Sequence, residues 1–197
     1  MQWSRNVAVA QWIVERLHPF AQDVGSLVPD GFAAYARIRH PEAGTLDRPR
    51  LDALLDILAR HTPEAKLCWF AVWDGYAWLH GHSATSTLTR DGGRPARPPA
   101  ELTPPPERVR APRRSFALYR GELRSAQALW DLSWEQSPNL WWPDDHGWCV
   151  ATDVDQTSTY LGGSATLIHD LLDDRELTTQ PASPNDAISD DAAPDQA

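Results

Sequence analysis

The chain has 197 residues and a formal net charge of −9 at pH 7, with an isoelectric point near 5.1. This length suits one domain with a sizeable core, and the acidic balance argues against a dedicated nucleic-acid-binding protein. No stretch approaches the roughly 20 apolar residues that span a bilayer, and we expect no secretory signal. Cys68 and Cys149 each adjoin a tryptophan in an apolar run, which favours buried thiols of a reducing compartment over a disulfide. We therefore expect a cytoplasmic protein.

The first third of the chain predicts two helices with a strand between them. Ser4 is placed to cap a helix over residues 5–17, where apolar side chains recur at helical spacing. Residues 32–38 are typical of a strand. Asp47 marks the start of a second helix, which carries leucines on one face and ends before Pro63.

The middle of the chain predicts a central strand followed by a long loop. Residues 67–73 are apolar at every position, which is typical of a strand covered on both faces. Asp74 and Gly75 form a tight-turn signal, so residues 76–79 are predicted to return as the hairpin partner. Residues 90–114 are rich in proline and arginine and predict a flexible loop.

The last part of the chain predicts two strands and two helices. Residues 114–121 and 147–155 have strand character, while Ser125 opens a short helix and Ser164 caps a final one. From residue 178 onward the chain is acidic and has almost no large apolar side chain. This composition predicts a disordered tail over residues 178–197.

Taken in order, these elements predict an α+β fold with a largely antiparallel sheet and flanking helices, because no βαβ spacing repeats. We expect one globular domain over residues 1–177. The flexible loop of residues 90–114 interrupts this domain, and the disordered acidic tail of residues 178–197 follows it.

Ten tryptophans in 197 residues indicate either a core built on indole rings or an aromatic binding face. Trp69 and Trp73 fall on the same face of one predicted strand, and we expect both in the core. Trp141 and Trp142 are adjacent in an extended segment, so their side chains face opposite ways. We expect one of this second pair to lie outside the core.

Carboxylates beside this second pair complete a candidate binding surface. We predict a recognition edge formed by Trp141, Trp142, Asp144 and Asp145, joined by Asp74 and Tyr76 of the predicted hairpin turn. Aromatic anchors ringed by carboxylates suit a basic protein partner such as a nuclease toxin.

A catalytic alternative starts from residues 153–157, which follow an apolar run and have the sequence D-V-D-Q-T. This string resembles the D-x-D-x-T signature of haloacid-dehalogenase-like phosphatases, in which the first Asp is the nucleophile and the second an acid and base. A small hydrolase, phosphatase-like or metal-assisted, would use Asp153, Asp155 and His146. We rank it second because too little chain follows Asp155 for the βα units that such a fold requires.

Metal and cofactor chemistry finds little support in the sequence. The ligand types of His80 and His82 lie in a different predicted loop from those of residues 144–146, and nothing indicates that the two groups converge. No phosphate-binding glycine loop or other common catalytic signature is present. We expect neither a metal nor a cofactor.

The strings CWFAVWDGY, LYRGEL, NLWWPDDHGWCVATDVD and STYLGGS resemble those of a family of small, tryptophan-rich actinobacterial proteins. The resemblance covers about residues 27–177 and implies no activity. The arrangement of elements is also similar to that of the SUKH superfamily, whose members include bacterial toxin-immunity proteins. We expect a non-enzymatic protein that binds another macromolecule, with an immunity-like role as one form, and no membrane or nucleic-acid partner.

Overall fold

A computed structural model describes residues 1–19, 22–63, 67–80, 103–131 and 136–188. Within these ranges nine strands form one sheet, and every pairing between them is antiparallel. The strands are β1 Gln2–Trp3, β2 Ala34–Arg39, β3 Cys68–Trp73, β4 Val109–Arg110, β5 Ser115–Gly121, β6 Leu140–Pro143, β7 Cys149–Thr152, β8 Ser158–Gly163 and β9 Thr178–Ala182. Their order across the sheet is β1-β5-β3-β6-β7-β8-β2-β9, with β4 also paired to β5.

Helices and 3-10 turns flank this sheet. The α-helices are α1 Gln11–Val14, α2 Arg48–His61, α3 Ala128–Asp131 and α4 Ala165–Asp173. Segments of 3-10 helix are Val7–Ala10, Val24–Ser26, Ala77–His80 and Leu123–Gln127. The predicted α+β fold, with a largely antiparallel sheet and flanking helices, is confirmed.

Side chains of the sheet alternate between two separate cores, because both faces are covered. On β3, Phe70 and Val72 pack into the core shared with α2 and α4, which we call the α2-side core. Trp69 and Ala71 pack into the core shared with α1, which we call the α1-side core. Antiparallel sheets often leave one face to solvent. The uninterrupted apolar run of residues 67–73 predicted coverage on both faces, and this prediction is confirmed.

The predicted helix starts hold for α2 and α4. The Asp47 carboxylate accepts the backbone N–H of Arg50, and the Ser164 hydroxyl accepts that of Leu167, each within about one turn of the helix start. The predicted helix over 5–17 is wrong in extent, since it divides into a 3-10 segment and the short α1. Valines at this site are β-branched and favour helix less than straight-chain residues do.

Residues 76–79 are not the hairpin partner of β3, which pairs instead with β5 and β6. The adjacent side chains of Trp78 and Leu79 are both buried in one core. A 3-10 turn permits this, whereas a strand would send them to opposite faces. The turn itself is present: a Cβ on Gly75 would lie 2.1 Å from the Trp73 ring, so any other residue would have to displace that ring.

The predicted disordered tail is wrong over residues 178–188. β9 lies at the edge of the sheet and pairs with β2 along all five of its residues, and Asp23 bridges Ala187 further on. Backbone hydrogen bonds hold such an edge strand, and composition does not record them. The remaining residues of the 178–197 segment lie outside the described residues.

The predicted loop of residues 90–114 is described only from residue 103. Within it, Val109 and Arg110 form β4, and Val109 is buried in the α1-side core. The loop therefore returns to the sheet before β5 begins.

Candidate functional site

Trp141 and Trp142 do not form a recognition edge. Their side chains leave β6 on opposite faces, as predicted, but both are fully buried, with 0% of each exposed. Trp141 packs edge-on against Trp148 in the α2-side core, and Trp142 packs edge-on against Trp12 on the other face. Coverage of both faces removes the expected exposed indole.

The four other residues of the predicted edge lie at two distant places. The backbone N–H of Asp144 bonds Leu67, just before β3 begins, whereas Asp74 follows Trp73, where β3 ends. Six strand residues at about 3.3 Å each separate these points by about 20 Å. Asp145 neighbours Asp144, and Tyr76 neighbours Asp74, so the prediction of one joined surface is wrong.

Several of these groups already have structural partners. Asp144 accepts the indole N–H of Trp69 at 2.9 Å, and Asp74 pairs with Arg108. Tyr76 accepts a hydrogen bond from the Asn139 amide at 3.3 Å and stacks on Trp78. These contacts hold the ends of β3 in place.

Of the three residues of the hydrolase alternative, only the two aspartates lie together. Arg114 donates to both carboxylate oxygens of Asp153, at 2.9 and 2.8 Å, and also to Asp155. His146 lies before β7, at the opposite end from Asp153, and stacks on Trp12 with ring centroids 4.2 Å apart. The structure therefore places Asp153 and Asp155 together on one arginine and separates His146 from both of them.

Electrostatics agree with structural roles for these groups. Burial alone would raise the pKa of Asp153, but the bonds from Arg114 outweigh it and hold that pKa below its usual value. Partial burial lowers the pKa of His146. Cys68 and Cys149 are buried free thiols, as predicted, and burial raises the pKa of both, which makes them poor nucleophiles.

Metal-ligating side chains do not cluster within the described ranges. There, no three histidine, cysteine or acidic side chains come together in a way that could hold an ion. His82, one of the candidate ligands considered above, falls outside those ranges. No helix among the described residues is long and apolar enough to cross a membrane.

A cleft opens between the α1-side layer and the ends of the central strands, and we call it the Trp73 cleft. Its walls are largely apolar and include Leu17, Leu27, Trp73, Phe116, Leu140 and Ala151. Its volume is about 30 Å³, where one water needs about 10–15 Å³ on the same measure. It therefore has room for a few heavy atoms, such as the end of one aliphatic side chain.

Polar groups fix the floor and mouth of the Trp73 cleft. At its floor, the buried Asn139 side chain accepts the backbone N–H of Trp73 at 2.8 Å and donates to the carbonyl of Thr152 at 3.2 Å, tying β3 to β7. At its mouth, the Arg114 guanidinium lies 5.1 Å from the centre of the Trp73 ring while paired to Asp153. Arg113 also lines this mouth.

Sequence reasoning missed this cleft. Its lining comes from the end of α1, the Val24–Ser26 turn, and strands β3, β5, β6 and β7, which are remote in sequence. Two of its lining residues, Trp73 and Asp153, stood out in the sequence, the first as a core tryptophan and the second as a catalytic candidate. Trp73 is half-buried rather than in the core.

No family model, curated protein or solved structure matched the chain. The resemblances to the actinobacterial family and to the SUKH superfamily therefore stay predictions.

Proposed function

We propose that this protein is a non-enzymatic binding protein that recognises another protein, and that one apolar side chain of the partner enters the Trp73 cleft. The observation that carries the proposal is a narrow, mostly apolar cleft with a rigid floor and a charged mouth. Protein-recognition hot spots combine an apolar anchor in a pocket with a polar rim. Concave apolar sites with a few fixed polar groups are also the usual form of binding sites.

The charges support a basic partner. The chain carries a net charge of −9, which attracts basic proteins over long range and speeds their association. Asp155, whose side chain is 74% exposed, presents a carboxylate beside Arg114. An immunity-like role against a basic toxin is the form of this proposal that fits the charge best.

The hydrolase reading is supported less well. Arg114 occupies the carboxylate oxygens of Asp153 that a phosphatase would use for attack. His146 stacks on Trp12 away from them.

A direct test uses N-acetyl-leucine amide as a model of the partner's side chain. Titration into the labelled full-length protein should shift the NMR signals of Leu27, Ala151 and the Trp73 indole, with millimolar affinity. Ala111→Leu, at a half-buried position in the cleft lining, should abolish these shifts. The matched control is Ala165→Leu, on the exposed start of α4, and it should leave them unchanged.

The same pair of variants separates specific from non-specific protein partners. A true partner should bind the wild type and Ala165→Leu equally and lose at least tenfold in affinity with Ala111→Leu, which is about 1.4 kcal/mol. Equal binding of all three proteins by that partner, or a probe that shifts no cleft signals, would place the binding site elsewhere.

A further inference from the structure

His18 lies between two carboxylates just after α1. Its Nδ1 is 2.9 Å from an Asp23 oxygen, and its Nε2 is 2.9 Å from an Asp30 oxygen. A neutral imidazole has only one N–H, and an ionised carboxylate can only accept. Both contacts are therefore hydrogen bonds only when both ring nitrogens carry a proton. We call this arrangement of His18, Asp23 and Asp30 the His18 clasp.

The clasp is built into one wall of the Trp73 cleft. The second oxygen of Asp23 accepts the backbone N–H of Ser26 at 3.0 Å and so caps the Val24–Ser26 turn. The backbone N–H of His18 bonds the carbonyl of Gly25, and a Cβ on Gly25 would lie only 2.5 Å from the ring. The ring and the turn are thus in direct contact, and neither moves without the other.

Residues on each side of this contact line the cleft. Leu17 precedes His18 in the chain, and Ser26 and Leu27 belong to the turn and its end. Asp30 also connects this wall to the segment that follows α1, because its backbone N–H bonds the carbonyl of Arg16.

We propose that doubly protonated His18 holds this wall of the Trp73 cleft in its ordered conformation. Binding in the cleft is then tighter at acidic than at alkaline pH. This proposal rests on the proposed function for its binding part only. When His18 loses a proton, one ring nitrogen turns a lone pair toward a carboxylate, and that contact becomes repulsive. A loosened wall must be reordered on binding, which weakens affinity.

The direction of the pH dependence follows from the groups around the ring. Hydrogen bonds that the ring donates to Asp23 and to Asp30 outweigh partial burial and raise the pKa of His18 above 6.5. The stabilisation is fully present below 6.5 and is lost as pH rises through the raised value. Other titratable or charged groups on the elements around the clasp are Arg16 at the end of α1, Tyr35 on β2, Arg113 beside Ser26, and Asp186 beside Val24.

The test of the clasp is an NMR titration of the histidine rings in the full-length protein. At pH 6 both ring nitrogens of His18 should be protonated, and its midpoint should lie above 6.5. Asp30→Asn keeps an amide that can pair with a neutral ring, so the midpoint of His18 should fall toward 6.5. The control Asp173→Asn, which alters the partner of His169, should leave His18 unchanged. A midpoint of His18 at or below 6.5 in the wild type overturns the clasp.

Binding of N-acetyl-leucine amide then tests the coupling. Its affinity for the wild type should be about fivefold higher at pH 6 than at pH 8, and this ratio should approach one in Asp30→Asn. A titrating His18 with a pH-independent affinity overturns the coupling. Absence of probe binding at every pH counts against the proposed function alone, because hydrogen exchange at the Ser26 amide still reports on the wall. That amide should exchange faster in Asp30→Asn than in the wild type at pH 6, and equal exchange overturns the proposal.

Discussion

Arg114 contacts three side chains, two of which line the Trp73 cleft. Its guanidinium lies over the Trp73 ring, forms two bonds with Asp153, and reaches Asp155. The side chain of Asp153 is only 7% exposed, and its charge is stabilised by Arg114 together with the backbone N–H of Asp155. Removing one partner of a buried ion pair leaves the other charge uncompensated, which costs far more than the pair itself contributes.

Arg114→Gln is therefore expected to lower the free energy of unfolding by about 3 kcal/mol at pH 7. Arg124→Gln is the control, because its pair with Asp56 lies in solvent, and a change below about 0.5 kcal/mol is expected there. Urea unfolding of both variants measures the difference. Similar small losses in the two would show that Asp153 is already solvated.

The cost of Arg114→Gln should also depend on pH. Because the folded pKa of Asp153 lies below its usual value of 3.8, the stabilisation is present above 3.8 and is lost as pH falls through the folded value. The stability difference between wild type and Arg114→Gln should therefore shrink from pH 6 to pH 3. Unfolding curves at several pH values test this, and a constant difference would contradict it.

Asp144 is exposed, yet it has a structural role. It accepts the indole N–H of Trp69, whose ring is almost fully buried. Asp144→Ala should cost about 1 kcal/mol because the indole loses its acceptor. Asp144→Asn keeps an acceptor oxygen and should be close to wild type. Equal stability of both variants would show that water replaces the carboxylate.

Tryptophans should differ in their contribution to the free energy of unfolding according to how deeply they are buried. Trp142→Ala removes a ring with 0% exposure and should cost about 3–5 kcal/mol. Trp3, on β1, is 38% exposed, and Trp3→Ala should change stability by about 0.5 kcal/mol or less. Denaturant midpoints of the two variants measure the contrast, and similar midpoints would refute the assignment of Trp142 to the core.

At the scale of elements, β9 shows what an edge strand adds. Its five residues cover the outer edge of β2, and Arg37 of β2 bonds Gln180 of β9. An uncovered β2 would present free backbone groups that pair with other chains.

Truncation after Leu177 should therefore lower the melting temperature by several degrees, since each kcal/mol corresponds to about 2–4 °C at this chain length. Truncation after Ile188 keeps β9 and should leave the melting temperature within about 1 °C. Calorimetry measures both, and size-exclusion chromatography should show self-association of the shorter chain only. Identical melting curves would mean that β9 contributes nothing.

Sequence patterns predicted elements whose cause is local. The start of α2 at Asp47 and the buried strand of residues 67–73 follow from capping and from hydrophobicity, and both are confirmed. β8 and β9 were missed because the first contains two glycines and the second a proline, which score poorly as strands. Their neighbours across the sheet supply the hydrogen bonds, and no local window of sequence contains those neighbours.

At the scale of the whole molecule, coverage of both sheet faces decides which of the predicted site residues remain accessible to a partner. Period-2 alternation correctly placed Trp141 and Trp142 on opposite faces, but it cannot tell whether a face is covered. The layer that buries Trp142 comes from α1 and from the segment around Val24, far away in the sequence. The Trp73 cleft lies where this layer ends, so it was equally invisible to patterns within one segment.

The position of β2 also has a consequence for the order of events during synthesis. β2 is made early, yet its neighbours on either side are β8 and β9, the last two strands of the described chain. Contacts between such distant segments form slowly, since a long loop must close first. On the ribosome, β2 must therefore wait for its two described neighbours until β8 and β9 have emerged. A nascent chain arrested before β8 should be digested by protease at Ala34–Arg39, whereas the finished protein should resist cleavage there.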